Sequence, residues 1–289
     1  MSPAMPLPVR GAGGIEVRCE GVVHLYRTFA GHDVVALRGI DLTIAAGERV
    51  AFLGPSGCGK STLLTLLGGI QRPSAGRVFL GDLEVSRLSE RRLARVRSGT
   101  VSTMLQGASR NLLPYATARQ NVRFARLGAE DRADLPHVDE LLDLVGLGEL
   151  RNQVVSTMSG GQRQRLALAS AAATGPQLLL ADEPTSQLSH VDRDAVVSLL
   201  HRIGDEYGTT VVVVTHQEEV ARTFPRTVTM KAGRIGAEGR AGSEYSVVGD
   251  EGLLHLPPHL VDLWPSGTLV RIEETDDGRL VIIREGTPS

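Results

Sequence analysis

The segment 54–62 has the residue types and spacing of a loop that binds phosphate groups. Its glycines let successive backbone N–H groups point inward, Lys60 can reach the β- and γ-phosphates of a nucleotide, and Ser61 can bind Mg²⁺. Only two of the 31 basic residues are lysines, so a compact, flexible cation at this position favours chemistry over chance. The alternative is a glycine-rich turn with an accidental lysine. The candidate nucleotide-binding residues are Gly54, Pro55, Ser56, Gly57, Cys58, Gly59, Lys60, Ser61 and Thr62.

Two carboxylates follow the apolar segment 178–181. This segment is typical of a buried strand, and the ligands of open parallel sheets bind at the carboxyl ends of the strands. We expect Asp182 to bind Mg²⁺ together with Ser61, and Glu183 to act on the water that attacks a γ-phosphate while Lys60 offsets charge. The alternative is an ordinary strand end, because adjacent side chains on a strand face opposite ways.

The elements around these residues alternate between strands and helices. Alternating segments at 16–22 and 37–44 predict a β-rich entrance to the loop, and a helix follows the loop as far as Gly68. Helical periodicity over about 88–174 indicates a helical insertion. Strands at 178–181, 211–215 and 227–230, with a helix at 192–207, predict an α/β fold with a parallel sheet covered on both faces.

A Ser-Gly-Gly-Gln turn opens a helix about twenty residues before the acidic strand. It consists of Ser159, Gly160, Gly161 and Gln162, and by itself it could simply cap the helix. Together with the other two motifs it resembles the signature of the ATP-binding cassette (ABC) ATPases. The resemblance implies a P-loop NTPase fold with a parallel sheet core, an N-terminal antiparallel β subdomain and a helical subdomain at about 88–174. It also implies ATP and Mg²⁺ as ligands, in a dimer where Ser159 of one subunit faces the γ-phosphate that the other holds.

The resemblance assigns three further positions. Gln106, after a strand at 99–105, matches the glutamine that touches Mg²⁺ and relays the nucleotide state to a membrane partner. His216, which ends the strand 211–215, matches the switch histidine on the γ-phosphate. Tyr26 is similar to the aromatic residue that stacks on adenine. Without the resemblance, these would be a surface glutamine, a structural histidine and a packing tyrosine.

One position departs from the family pattern. After Pro184 and Thr185 the family usually has Ser-Ala-Leu-Asp, whereas this chain has Ser186-Gln187-Leu188-Ser189. Ser189 lacks the charge of the aspartate that couples the two sites, so symmetric coupling is in question. Asp192 could substitute for it, or could simply begin a helix.

Segments 63–69, 88–93 and 111–122 resemble the MacB/LolD/FtsE-like branch of the family. This resemblance implies an ATP-hydrolysing peripheral subunit at the cytoplasmic face of the cell membrane. It would power a separate transmembrane permease that moves lipids, lipoproteins, peptides or drugs, and its second subunit would be another copy. Two alternatives are a soluble ABC ATPase acting on ribosomes or DNA, and a binding module in which nucleotide gates association while the carboxylates stay idle.

Composition limits the remaining possibilities. Two cysteines provide no disulfide framework, residues 1–14 read as a disordered leader, and no stretch has the length of a membrane span. Residues 238–289 contain ten Asp or Glu and four Arg, a charge of −6, which leaves +4 for the rest of the net −2. Such an acidic tail does not favour nucleic acid as a partner.

We expect two domains, an ATPase domain at 15–236 and a small β-rich domain at 237–289. Short strand patterns at 245–248, 253–256, 269–272 and 280–283, with a short helix at 259–263, support the second domain. Its pattern resembles AbrB-type swapped-hairpin domains, which suggests a dimer brace or a regulatory module. A non-specific β cap is the alternative.

Overall fold

The computed structural model describes residues 13–27, 33–128, 135, 137–240, 243–247, 264, 268–275 and 277–284. The chain divides into two compact units, Met1–Tyr245 and Ser246–Ser289. Of the predicted leader, residues 1–12 lie outside the described part, and Gly13 and Gly14 are partly buried.

A four-stranded antiparallel sheet forms the N-terminal part of the first unit. Its strands are β1 (Val17–Arg27), β2 (Asp33–Ile44), β4 (Ala75–Leu80) and β5 (Leu83–Glu84), in the order β2-β1-β4-β5. Apolar residues at alternate positions of β1, such as Val17 and Cys19, are buried. This is the antiparallel subdomain that the period-two patterns predict.

A seven-stranded sheet forms the core. Its strands are β3 (Arg49–Leu53), β6 (Val101–Met104), β7 (Leu178–Asp182), β8 (Thr210–Thr215), β9 (Arg226–Lys231), β10 (Arg234–Arg240) and β11 (Ser243–Ser246), in the order β11-β10-β9-β3-β8-β7-β6. The five strands from β9 to β6 pair in parallel, and β10 is antiparallel to β9. The predicted parallel core is therefore confirmed, and the sheet extends past residue 236 through β10 and β11.

Seven α-helices surround the sheet in the described residues. They are α1 (Lys60–Leu67), α2 (Glu90–Gly99), α3 (Ala118–Ala125), α4 (Val138–Leu144), α5 (Gly160–Ala172), α6 (His190–Tyr207) and α7 (Glu218–Ala221). Alternate residues of the buried strands enter two separate apolar clusters. Leu179 and Val213 pack with α5 and α6, whereas Leu180 and Val212 pack with α1 and the antiparallel sheet. Both faces of the core sheet are thus covered, which explains why these strands are apolar throughout.

The segment 88–174 is not helical throughout. It contains β6, whose Val101 and Met104 are buried at the edge of the core sheet beside β7. This strand lies within the segment 99–105, for which a strand is predicted ahead of Gln106. The helices α3, α4 and α5 follow β6.

The second unit contains a two-stranded antiparallel sheet, β12 (Val270–Glu274) and β13 (Leu280–Arg284). Both strands agree with the predicted segments 269–272 and 280–283. The predicted strand at 253–256 and helix at 259–263 lie outside the described residues. The predicted strand at 245–248 is replaced by β11, which belongs to the core sheet. Among the described residues, no helix has both the length and the apolar character needed to cross a membrane.

Candidate nucleotide site

The loop 54–62 connects β3 to α1, as its sequence predicts. Gly59 lies at the N-cap of α1 with a φ of 104°, in the region that favours glycine. A Cβ atom at Gly59 would lie 2.5 Å from the carbonyl oxygen of Ala36, and one at Gly54 would lie 2.2 Å from that of Met230. The loop therefore requires glycine at both positions, because neighbouring backbone leaves no space for a side chain.

Lys60 is buried under this loop, with 6% of its surface exposed. Its Nζ donates to the carbonyl oxygens of Gly54 and Pro55, at 2.7 and 2.9 Å. The third N–H donor of the ammonium group is directed at Cys58 Sγ, a weak acceptor that a phosphate oxygen would replace. The sulfur of Cys58 lies 3.9 Å from Nζ in the same buried region.

Ser61 and Asp182 meet across the ends of α1 and β7. Ser61 Oγ donates to Asp182 Oδ1 at 3.0 Å. Burial raises the pKa of Asp182, and the hydrogen bond from Ser61 and the charges of Lys60 and Arg110 oppose that shift. The sequence did not predict that Arg110 would lie near Asp182, because Arg110 belongs to no motif and lies in a short 3₁₀ turn after β6.

The Ser61 hydroxyl and the Asp182 carboxylate fit Mg²⁺, which prefers oxygen ligands and usually binds through one or two carboxylates plus substrate phosphates. The described residues contain no cluster of three or more His, Cys, Asp or Glu that could hold a metal ion by itself. Beside these two ligands, phosphate oxygens and water molecules would supply the remaining coordination of the ion.

Glu183 and His216 form the second pair at this edge of the sheet. Glu183 Oε1 lies 2.8 Å from His216 Nδ1, and Oε2 is buried with no hydrogen-bond partner among the described residues. Glu183 has a φ of 48°, which non-glycine residues rarely adopt. Its N–H donates to the carbonyl oxygen of Val214 at 2.9 Å, so β8 positions both members of the pair.

The Ser-Gly-Gly-Gln turn begins α5 and forms a capping box. The N–H of Gln162 donates to Ser159 Oγ at 3.2 Å, and the N–H of Ser159 donates to Gln162 Oε1 at 2.8 Å. Ser159 Oγ accepts in this arrangement, so its own O–H can still donate to an anion. Gly160 and Gly161 complete the first turn.

Tyr26 and Gln106 come from different elements, and among the described residues a hydrogen bond joins Tyr26, but not Gln106, to the loop 54–62. The Tyr26 hydroxyl donates to Gln71 Oε1 at 3.0 Å and lies 3.2 Å from Thr62 Oγ1, while 39% of the residue remains exposed. Gln106 is exposed after β6. Asn111 closes that loop, since its side chain bonds to the backbone of Leu105 and Gly107.

The structure brings most of the predicted residues together within one chain. Lys60, Ser61, Asp182, Glu183 and His216 lie at the adjacent ends of β3, β7 and β8, and Tyr26 is tied to the loop through Thr62. Within the described part of the chain, no hydrogen bond or ion pair joins the Ser159–Gln162 turn to the phosphate loop. Ser189 is the N-cap of α6, where its Oγ accepts from the N–H of Asp192 at 3.2 Å.

Comparisons with known proteins agree on one family. The family model described as ABC transporter matches residues 37–186. The ATP-binding protein LolD 2 of the lipoprotein-releasing system of Caulobacter vibrioides is 42% identical over 75% of this chain and 94% of its own length. The macrolide export ATP-binding/permease protein MacB of Rhodopirellula baltica is also 42% identical, over 72% of this chain, which spans only 31% of that longer protein.

A solved structure shows the same fold. The ATP-binding cassette MJ0796, in a dimeric post-hydrolysis state bound to ADP and Pi, superposes with a TM-score of 0.69 and 32% identity over 78% of this chain and 98% of that one. The strand, loop and helix geometry around Lys60 agrees with this relationship. The chain therefore belongs to the ABC transporter family, as an ATP-binding and ATP-hydrolysing member.

Proposed function

We propose that two copies of this chain enclose ATP between the 54–62 loop of one copy and the Ser159–Gln162 turn of the other. The observation that carries the ATP-hydrolysing part of this proposal is the pair of contacts Ser61–Asp182 and Glu183–His216, which lie at neighbouring strand ends of one chain. Within one chain the signature turn makes no contact with that loop, and the related cassette MJ0796 is dimeric. The N-terminus of a helix and a serine hydroxyl are suited to the γ-phosphate of a partner.

In the proposed reaction, water attacks the γ-phosphorus of ATP. A bond forms from the water oxygen to phosphorus, and the bond from phosphorus to the β,γ-bridging oxygen breaks, releasing ADP and inorganic phosphate. The proton that the water loses passes to the Glu183 carboxylate and from there to solvent. Glu183 orients this water and accepts its hydrogen bond. Because a carboxylate can only accept, His216 donates to it through Nδ1. A contact from Nε2 to a γ-phosphate oxygen then needs a hydrogen on Nε2 as well, so the imidazolium form of His216 is the one that would bridge Glu183 and the γ-phosphate.

Ser61, Asp182 and Gln106 are the residues that would hold Mg²⁺, which supplies charge neutralisation at the β- and γ-phosphates. Lys60 and the partner's signature turn donate to the same phosphate oxygens. Tyr26, with its hydroxyl fixed by Gln71, offers its exposed ring to the adenine base.

The chain would work as a peripheral subunit at the cytoplasmic face of the cell membrane, beside a separate permease. The relatives named for lipoprotein release and for macrolide export support a permease that moves lipoproteins or drug-like molecules, and lipids and peptides are the further candidates. We propose that the permease docks near Gln106 and the helices that follow β6. The unit after β11 would be a brace or regulatory module of the dimer.

Replacing Glu183 with Gln tests the catalytic proposal directly. The variant should bind ATP with unchanged affinity, lose ATP turnover by about 10²-fold or more, and accumulate as an ATP-bound dimer measurable by light scattering. Equal turnover in the two proteins would contradict the role of Glu183. The permease can be identified by purifying the Glu183→Gln variant from detergent-extracted membranes and analysing the copurifying proteins by mass spectrometry. If no membrane protein copurifies, the proposed association with a permease is contradicted.

A further inference from the structure

A buried side chain connects the signature helix to the residue that follows the candidate catalytic carboxylate. Gln164 lies in α5, five residues after Ser159, and only 4% of it is exposed. Its Nε2 donates to the carbonyl oxygen of Pro184 at 2.6 Å. Pro184 comes directly after Glu183, so this bond joins α5 to the end of β7.

The direction of the Glu183 carboxylate depends on the backbone at this point. Glu183 has a φ of 48°, and its turn is closed by the N–H of Ser186, which donates to the carbonyl oxygen of Glu183 at 3.1 Å. Because proline has no N–H, the carbonyl is the only hydrogen-bonding group that the Pro184 backbone offers. Gln164 satisfies that group from a different element of the fold.

A second contact holds the same segment against α5. The carboxylate of Asp192 lies against Gly161, where a Cβ atom would be 2.2 Å from Oδ1. Ser189 Oγ donates to Asp192 Oδ2 at 2.9 Å. The segment 184–192 is therefore held against the signature helix at both of its ends.

We infer that Gln164 is a positioning residue that transmits contact at the signature turn to Glu183 of the same chain. The inference rests on the proposed function, in which Ser159 faces the ATP that the partner holds. When Ser159 binds the γ-phosphate of the partner's ATP, the position of α5 becomes fixed. Through Gln164, α5 then fixes the Pro184 carbonyl, and with it the Glu183 carboxylate that acts on the ATP bound to its own chain. Each chain thus senses one nucleotide and hydrolyses the other.

The first test replaces Gln164 with Met, which keeps the length of the side chain and removes its N–H donor. Because the Glu183 carboxylate should be misplaced in this variant, we expect its kcat to fall by about tenfold or more, while its KM for ATP changes by less than about twofold. Gln153→Met is the matched control, because the Gln153 amide bonds only within its own turn, to Thr157. An unchanged kcat in Gln164→Met would overturn the inference. A lower kcat that comes with an equally raised KM and a strongly lowered Tm would overturn it as well, because it would show a general loss of the folded structure.

The second test uses mixed dimers in which one chain carries Glu183→Gln, so that only the other chain hydrolyses ATP. Ser159→Ala in the hydrolysing chain removes a contact to the ATP that is not hydrolysed. Transmission through Gln164 predicts that this change slows turnover about fivefold or more, and that the effect disappears when the same chain carries Gln164→Met. The turnover rates are measured at concentrations where light scattering shows full dimerisation. If Ser159→Ala slows turnover by the same factor with and without Gln164→Met, the inference is overturned.

These experiments also separate the inference from the proposed function. If Glu183→Gln hydrolyses ATP as fast as the unmodified chain, the proposed function fails whatever Gln164 does. If Glu183→Gln is inactive and Gln164→Met is fully active, only the role of Gln164 fails.

Discussion

Glu183 Oε1 and His216 Nδ1 lie 2.8 Å apart at the carboxyl ends of the neighbouring strands β7 and β8. The carboxylate is almost fully buried, whereas the imidazole is half exposed. The pair therefore joins a fixed, enclosed acid to a ring that can contact a ligand.

Replacing His216 with Ala should lower ATP turnover by about 10²- to 10⁴-fold, because the carboxylate loses its donor and the γ-phosphate loses a contact. ATP affinity should change little, since in the proposed complex the loop 54–62 provides most of the phosphate contacts. Steady-state turnover and equilibrium binding of ATP measure the two effects. His201→Ala is the control, because His201 lies beside Arg49 at the opposite end of β3, and a similar loss there would contradict a specific role for His216.

The ring and the hydroxyl of Tyr26 should contribute differently to ATP binding. Stacking of an aromatic ring on a base contributes about 1–3 kcal/mol, so Tyr26→Ala should weaken ATP binding about tenfold or more. Tyr26→Phe keeps the ring and loses only the contacts to Gln71 and Thr62, so its Kd should stay within about threefold. Equilibrium titration with ATP and with inorganic triphosphate, which has no base, distinguishes the contributions. If Tyr26→Ala raises the Kd for ATP and the Kd for inorganic triphosphate by the same factor, the ring does not contact adenine.

The two glycines of the signature turn should differ in their tolerance of a methyl group. A Cβ atom at Gly160 meets nothing within 4 Å, whereas one at Gly161 collides with the Asp192 carboxylate. We expect Gly161→Ala to lower stability by about 1–3 kcal/mol, a fall in Tm of several degrees, and Gly160→Ala to leave Tm close to that of the unmodified chain.

Thermal unfolding of both variants by circular dichroism measures this difference. The double variant Gly161→Ala with Asp192→Ala should recover part of the lost Tm, because the colliding group is gone. Equal Tm values for the two single variants would contradict the contact between Gly161 and Asp192.

The ion pair between Glu238 and Arg226 should make stability depend on pH. Burial disfavours the Glu238 carboxylate, but hydrogen bonds and charges from Arg226 and Arg240 outweigh it and lower its pKa below the ordinary 4.5. The stabilisation is therefore fully present above pH 4.5 and is lost as the pH falls through the lowered pKa. Glu238→Gln should cost about 1–3 kcal/mol at pH 7.

Urea denaturation at pH 7 and at successively lower pH values measures this effect. The difference between Glu238→Gln and the unmodified chain should shrink as the pH falls below 4.5. A difference that stays constant down to pH 3 would show that the charge of Glu238 does not stabilise the fold.

Local patterns were sufficient to predict most of the elements that position the site. The strand, glycine-rich loop and helix around Lys60, and the apolar strands β7 and β8, each have a signal within a few neighbouring residues. The edge strand β6 is short and lies between helices, so the helical periodicity of its surroundings did not mark it, and it was predicted only as the strand 99–105 that precedes Gln106. Strand β10 follows a glycine turn, and only its pairing with β9 shows that the core sheet continues.

Contacts between distant positions could not be predicted in the same way. Arg110 acts on Asp182, Gln164 bonds to Pro184, and Asp192 lies against Gly161, and each pair becomes close only through packing of the sheet and helices. One signal was available for Gln164. It lies four residues before Leu168, on the buried side of α5, and a polar residue on an apolar helix face usually has a specific partner.

The left-handed backbone at Glu183 implies that catalysis and folding make opposite demands on this residue. A glutamate in that region is less stable than a glycine by about 1–2 kcal/mol, and its buried Oε2 has no hydrogen-bond partner in the part of the chain that the structure describes. The inactive variant Glu183→Gly should therefore melt at a higher temperature than the working enzyme. Selection for turnover, rather than for robustness, would then be what maintains glutamate at this turn.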